Sequence, residues 1–144
     1  MSTLPKGRVL GIDAGTVRTG IAVSDLDGFL ASAVCTVKAN GLRALAATIK
    51  EKAEGYSARL IVIGHPINMN GTLGESSARI HRLADEIRLI CDIPVTLFDE
   101  RCTTMAAASI LNLTDTRGSK RKAVIDSLSA EIILQDYLDS EKRK

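Results

Sequence analysis

The order of the predicted strands and helices most constrains what this chain can fold into. Three strand-like segments come first, joined by short turns rich in Gly and Asp, which predicts an antiparallel meander. Helical and strand patterns alternate after them. The predicted strands cover residues 8–13, 17–24, 29–37, 59–64 and 94–98, and the predicted helices 41–53, 75–91, 103–113 and 122–138, with polar loops at 65–74 and 114–120.

This order predicts an α/β fold with a five-stranded mixed sheet and helices on both faces, because βα units add parallel strands to the meander. The 144 residues are typical of one domain, so we expect a single domain over 1–144. Aromatic residues are only 3% of the chain. We therefore expect an aliphatic core, and the scarcity of aromatic side chains argues against a binder of single strands built on base stacking.

Other features of the sequence bear on the class of protein. The three cysteines share no zinc-finger spacing, which indicates reduced thiols. No apolar run approaches the roughly 18 residues of a membrane span. The first nine residues lack the apolar core of a signal peptide, so we expect a cytoplasmic protein.

Acidic residues follow two of the predicted strands. Asp13 closes the first strand and is followed by Gly15, in a position where α/β sheets bind ligands. The alternative is a turn-forming Asp. Asp99 and Glu100 end the last strand. Side chains alternate along a strand, so only one of these two can share the face of a given neighbour. The alternative is a favourable position near a helix N-terminus.

Asp126 stands beside the apolar stripe of the last predicted helix, where an unpaired carboxylate would be costly. The small residues Ser129 and Ala130 would let that helix approach the sheet closely. The alternatives are a solvent-edge position or a pair with Lys122. Asp13, Glu100 and Asp126 would make an all-oxygen site, which suits Mg²⁺ or Mn²⁺ better than zinc. Two such ions can support phosphodiester cleavage.

Basic residues near these acids favour a nucleic-acid partner, because Lys and Arg bind phosphates without reading sequence. The alternative is a solvated surface loop. For His65 we expect a hydrogen-bonded loop histidine and for His81 a surface position, and neither receives a catalytic role. The candidate nucleic-acid-binding residues are Arg18, Arg101, Arg117, Lys120, Arg121 and Lys122.

Four motifs occur in order over residues 9–138: GIDAG at 11–15 with Arg18, Gly20 and Ser24-Asp25; IGHP at 63–66 with Asn68 and NGT at 70–72; DER at 99–101 with Thr103-Thr104; and Lys122 with Asp126, Ala130, Ile133-Leu134 and Tyr137-Leu138. Together they resemble the motifs of the YqgF family, which comprises Holliday-junction-resolvase-like nucleases also linked to maturation of the precursor of small-subunit ribosomal RNA. The chain departs from the family pattern at His65 and Cys102, where aliphatic residues are expected.

The resemblance implies a ribonuclease-H-like fold and a metal site formed by Asp13, Glu100 and Asp126. It also implies a metal-dependent endonuclease that hydrolyses phosphodiester bonds in 5′-end processing of pre-16S rRNA, with the small ribosomal subunit as a candidate partner. A Holliday junction resolvase acting on branched DNA and a non-catalytic nucleic-acid-binding module are the alternatives. The sequence suits a monomer and a homodimer equally.

An ATP-dependent enzyme is a further alternative. Residues 13–16 with Gly20 also resemble the first phosphate loop of actin-like ATPases and sugar kinases. Those proteins place the nucleotide between two such domains, and this chain is too short for two.

Overall fold

The computed structural model describes residues 7–15, 17–65, 74–99 and 118–142, with the backbone alone at Ser76 and at residues 118–126. Within these ranges no helix is both long and apolar enough to span a membrane. The predicted helix at 103–113 lies outside the described residues. The elements are β1 (Arg8–Ala14), β2 (Thr19–Ser24), β3 (Ala31–Val37), α1 (Leu42–Gly55), β4 (Ala58–His65), α2 (Glu75–Ile90), β5 (Val95–Asp99) and α3 (Gly118–Lys142).

The five strands form one mixed sheet, as predicted, and their order in the sheet is β3-β2-β1-β4-β5. The β1–β2 and β2–β3 pairs are antiparallel, whereas β4 is parallel to both β1 and β5. The carboxyl ends of β1, β4 and β5 therefore meet at one edge of the sheet, which we call the carboxyl edge.

Both faces of the sheet are buried under helices, which confirms the predicted layers. One face packs against α1 and α2 through an aliphatic core that includes Leu10, Ile12 and Ile63. The other face packs against α3, where Val9 and Val62 belong to a second cluster. The side chains of β1 and β4 alternate between these two cores, so their central residues are apolar on both faces.

Two strands begin later than predicted. β2 starts at Thr19 because the Gly15 amide donates a 2.9 Å hydrogen bond to the Arg18 carbonyl and closes a tight turn before the strand. β3 starts at Ala31 because the Asp25 carboxylate accepts the Phe29 amide at 2.8 Å and keeps the chain in a turn. Both segments were predicted as strand because they contain residues that favour strands. In each case a local hydrogen bond holds the chain in a turn instead.

Two further boundaries were predicted wrongly. α3 begins at Gly118, so Lys120, Arg121 and Lys122 lie in its first two turns and the predicted loop ends earlier. His65 is the last residue of β4, since it pairs in register with Asp99 of β5, and it does not open a loop.

Candidate active site

Asp13 is the one predicted metal ligand whose side chain the structure describes. It is half-buried, one residue before the end of β1 at the carboxyl edge. Ile12 belongs to the core under α1 and α2, and the position of Gly11 lies against α3. Because side chains alternate along a strand, Asp13 lies on the face of the sheet that α3 covers.

Gly11 is a point of close approach between β1 and α3. A Cβ atom at Gly11 would lie 2.7 Å from the Leu134 Cβ and 3.2 Å from the Ala130 carbonyl oxygen. Both distances are shorter than ordinary contacts, so only glycine fits without displacing the helix. The close approach expected from the small residues Ser129 and Ala130 is present here, and the glycine on the strand is what permits it.

The direction of α3 brings the Asp126 backbone towards Asp13. Leu138 lies near Gly28, in the turn beside the amino end of β1, and Ala130 lies at Gly11. The helix therefore runs antiparallel to β1. Asp126 precedes Ala130 by one turn, about 6 Å along the helix axis, and Asp13 follows Gly11 by about 7 Å along the strand. The Asp126 and Asp13 backbones therefore lie at similar distances from the contact between Ala130 and Gly11, both in the direction of the carboxyl edge.

Asp99 is also at the carboxyl edge, but it lies on the opposite face from Asp13. Its neighbour Phe98 packs edge-to-face on Tyr137 of α3, with ring centroids 5.8 Å apart. Alternation then places Asp99 on the face of α1 and α2, where it is the register partner of His65. Asp99 therefore does not share the face of Asp13. Glu100 lies outside the described residues.

His65 takes part in a small polar cluster on the α2 side of the carboxyl edge. Its Nε2 atom lies 2.6 Å from the Ser77 Oγ in a buried hydrogen bond. The His81 ring contacts it edge-to-face, with centroids 4.8 Å apart. Burial, and then the nearby His81, hold the pKa of His65 below its ordinary value, while Asp99 acts in the opposite direction. The predicted hydrogen bond is confirmed, although its partner Ser77 was not foreseen.

Arg79 is a basic residue at this edge that the sequence analysis missed. Its Nη1 atom donates a 3.4 Å hydrogen bond to the carbonyl oxygen of Ala14, the residue that follows Asp13. Contact across the fold brings Arg79 of α2 to the Ala14 carbonyl, so no sequence signal marked it. Of the predicted basic residues, Arg18 is half-buried between β1 and β2. The side chains of the others lie outside the described part of the chain.

The donors around Asp13 bear on whether a metal fits. Among the side chains that the structure describes, no three His, Cys, Asp or Glu residues lie close enough to hold an ion. Asp13 is the only member of the predicted triad in that set, because Glu100 and the Asp126 side chain fall outside it. Asp13 offers one half-buried carboxylate, an oxygen donor of the kind that hard divalent cations prefer.

Comparisons with known proteins match almost the whole chain. The family model described as "RuvX: Holliday junction resolvase" matches residues 7–140. The "Putative pre-16S rRNA nuclease" of Thermoanaerobacter pseudethanolicus is 40% identical over 138 residues, which cover 95% of this chain and 99% of that protein. The protein of the same name from Bacillus subtilis is 42% identical over 139 residues, which cover 92% and 98%.

Solved structures share the fold at low sequence identity. RuvC of T. thermophilus in complex with a Holliday junction substrate aligns with a TM-score of 0.58 and 15% identity, covering 94% of this chain and 96% of that chain. The fowlpox virus Holliday junction resolvase aligns with a TM-score of 0.56 and 10% identity, covering 93% and 99%. The fold is therefore ribonuclease-H-like, as the sequence predicted.

Proposed function

This chain belongs to the RuvX family, and we propose that it is a metal-dependent endonuclease that hydrolyses phosphodiester bonds at the 5′ end of pre-16S rRNA in the cytoplasm. The names of its relatives support the substrate, and family membership supports the reaction class. The small ribosomal subunit is the candidate partner, because it carries the RNA whose end is processed.

One structural observation carries the proposal of a site: α3 is held against β1 at Gly11, on the face that carries Asp13. This packing directs the Asp126 backbone towards the carboxyl edge. Asp99 lies on the other face, which leaves Glu100 as the candidate from the acids that end β5. We therefore propose Asp13, Glu100 and Asp126 as the ligands.

The carboxylates of Asp13, Glu100 and Asp126 would supply the oxygen donors that Mg²⁺ or Mn²⁺ prefers. When bound, such ions lower the pKa of an attacking water and stabilise the leaving oxygen. The residues of the chain supply the rest of the chemistry. Asp13 is held in place by a strand buried on both faces, so its carboxylate needs little reorganisation when substrate and metal arrive.

The charge at the start of α3 supports a polyanionic substrate. Lys120, Arg121 and Lys122 lie in the first two turns, and the first turn contains no acidic residue. Cations at a helix N-terminus oppose the helix dipole. A phosphate backbone near this end would offset that cost, and Arg18, Arg101 and Arg117 would add to the attraction.

The test is a cleavage assay with two substrates. Purified protein is incubated with an RNA that spans the 5′ end of 16S rRNA and its leader and, separately, with a four-way DNA junction. Each reaction contains Mg²⁺, Mn²⁺ or EDTA. We expect metal-dependent cutting of the RNA at a defined position, and its loss in the Asp13→Asn variant.

A Holliday junction resolvase is the second candidate, because the description of the matching family names that activity. Symmetric metal-dependent cutting of the junction, with the RNA left intact, would favour it over the rRNA nuclease. Tight binding without any cutting, in the presence of isolated small subunits as well, would instead indicate a non-catalytic binding module.

A further inference from the structure

We infer that Arg79 binds a backbone phosphate of the nucleic-acid substrate at the carboxyl edge, next to the phosphate that is cut. This inference rests on the proposed nuclease function and adds a residue from α2 to the substrate-binding surface. Arg79 belongs to none of the four motifs that carry the family resemblance.

The position of the Arg79 guanidinium is the first argument. Its Nη1 atom reaches the Ala14 carbonyl oxygen at 3.4 Å. The Cα atoms of Ala14 and Asp13 are consecutive, about 3.8 Å apart. The guanidinium therefore lies beside the Ala14–Gly15 peptide, one residue beyond the proposed metal ligand, where β1 ends. A phosphodiester strand that presents one phosphate to Asp13 would bring a neighbouring phosphate within reach of Arg79.

The partners of Arg79 are the second argument. Two other helix arginines form ion pairs. Arg43 lies near Glu86, and Arg88 lies near Asp85. Among the described residues, Arg79 contacts a backbone carbonyl and no carboxylate. A guanidinium carries five donors in a planar fork, and one long hydrogen bond uses one of them. The remaining donors match the paired oxygens of a phosphate.

The rigidity of α2 at this point is the third argument. Ser77, two residues before Arg79, is fully buried and bonded to His65 at the end of β4. Ile80, the next residue, is buried in the core. The backbone that carries Arg79 is thus anchored to the sheet on both sides. A phosphate contact from this position costs little ordering of the chain, which favours binding.

The test compares two arginines on the same helix. Arg79→Gln removes one positive charge and a hydrogen bond to the Ala14 carbonyl. Arg88→Gln removes the same charge and a hydrogen bond to the Val95 carbonyl, about 14 Å further along the helix. The dissociation constants of the four-way DNA junction and the 5′-extended RNA are measured by fluorescence anisotropy from 50 to 300 mM KCl. EDTA is present throughout, so that binding is separated from cleavage.

For Arg79→Gln we expect about tenfold weaker binding, in line with one charge-assisted hydrogen bond, of whichever probe the wild-type protein binds. The slope of log Kd against log salt should fall by about 0.7–0.9, the value of one phosphate contact. Arg79→Lys should keep the slope because it keeps the charge. Arg88→Gln should match the wild type in both quantities.

Thermal unfolding separates binding from a structural role. If Arg79 only ties α2 to β1, Arg79→Gln lowers the melting temperature and leaves the salt slope unchanged, which overturns the inference. Equal slopes for Arg79→Gln and Arg88→Gln also overturn it. Metal-dependent cleavage by the wild type is scored separately, so the proposed function can stand when this inference fails.

Discussion

The Nε2 atom of His65 and the Oγ atom of Ser77 are joined by a buried 2.6 Å hydrogen bond that connects the end of β4 to the first turn of α2. The segment between these elements is not described, but its two flanks are held together by this contact. The carboxyl edge therefore has a fixed boundary on the α2 side, next to the strand end that carries Asp13.

Removing the Ser77 hydroxyl should destabilise the fold. Ser77→Ala leaves a buried imidazole nitrogen without its partner, and we expect the free energy of unfolding to fall by about 1–3 kcal/mol. The measurement is urea denaturation followed by circular dichroism. The control is Thr48→Ala, since the Thr48 hydroxyl donates an exposed hydrogen bond to the Ala44 carbonyl and its removal should change stability by less than about 0.5 kcal/mol.

The double variant separates the hydrogen bond from packing. His65→Leu combined with Ser77→Ala replaces both polar partners with apolar groups, which is often nearly neutral. We expect the double variant to be more stable than Ser77→Ala alone. A double variant that is less stable would contradict this, because the cost would then lie in lost packing.

The stability of the protein should depend on pH through His65. Burial holds the pKa of folded His65 below the unfolded value of 6.5. The unfolded chain therefore binds the proton first as the pH falls, and the contribution of neutral His65 is complete above 6.5 and lost progressively below it. Denaturation curves from pH 7.5 to 5.0 should show a smaller loss for His65→Leu than for the wild type. Parallel losses would exclude His65 as a cause.

The glycine at the crossing of β1 and α3 should be essential for the site. Gly11→Ala places a methyl group 2.7 Å from the Leu134 Cβ, so α3 must shift, and overpacking of this kind costs about 1–3 kcal/mol. Metal-dependent cleavage should fall as well, because the same helix carries Asp126. Gly55→Ala is the control, since a Cβ there meets open space and should leave stability and cleavage intact. Normal cleavage by a folded Gly11→Ala protein would refute the coupling between packing and site.

The two strand-end aspartates should differ in function. Asp13→Asn removes a proposed metal ligand and should lower the rate of metal-dependent cleavage about a hundredfold or more, given that losing even an outer partner of a metal site costs 10–100-fold. Asp99→Asn changes a carboxylate on the opposite face and should retain cleavage within a few-fold of the wild type. Rates are compared at saturating Mg²⁺. Loss of cleavage in both variants to the same extent would show that the faces are assigned wrongly.

Periodicity and turn residues predicted the five strands and the mixed sheet well, because buried strands and amphipathic helices have distinct patterns. The boundaries failed where a single hydrogen bond redirects the chain. The Asp25 carboxylate holds Phe29 in a turn, although Phe29 and Leu30 have the composition of a strand. His65 extends β4 because Asp99 pairs with it across the sheet, a partner that is 34 positions away.

The sequence by itself determined the mixed sheet with helices on both faces, because hydrophobic periodicity is a property of short stretches of the chain. It also identified the candidate acids by their positions at the ends of predicted strands and beside the apolar stripe of a predicted helix. It could not decide that Asp99 lies on the face opposite Asp13, or that Arg79 reaches the end of β1. Those relations depend on the parallel register of β1, β4 and β5 and on the packing of α2 and α3 against them. Such contacts between distant segments arise only when the chain folds, so the tertiary structure alone decided them.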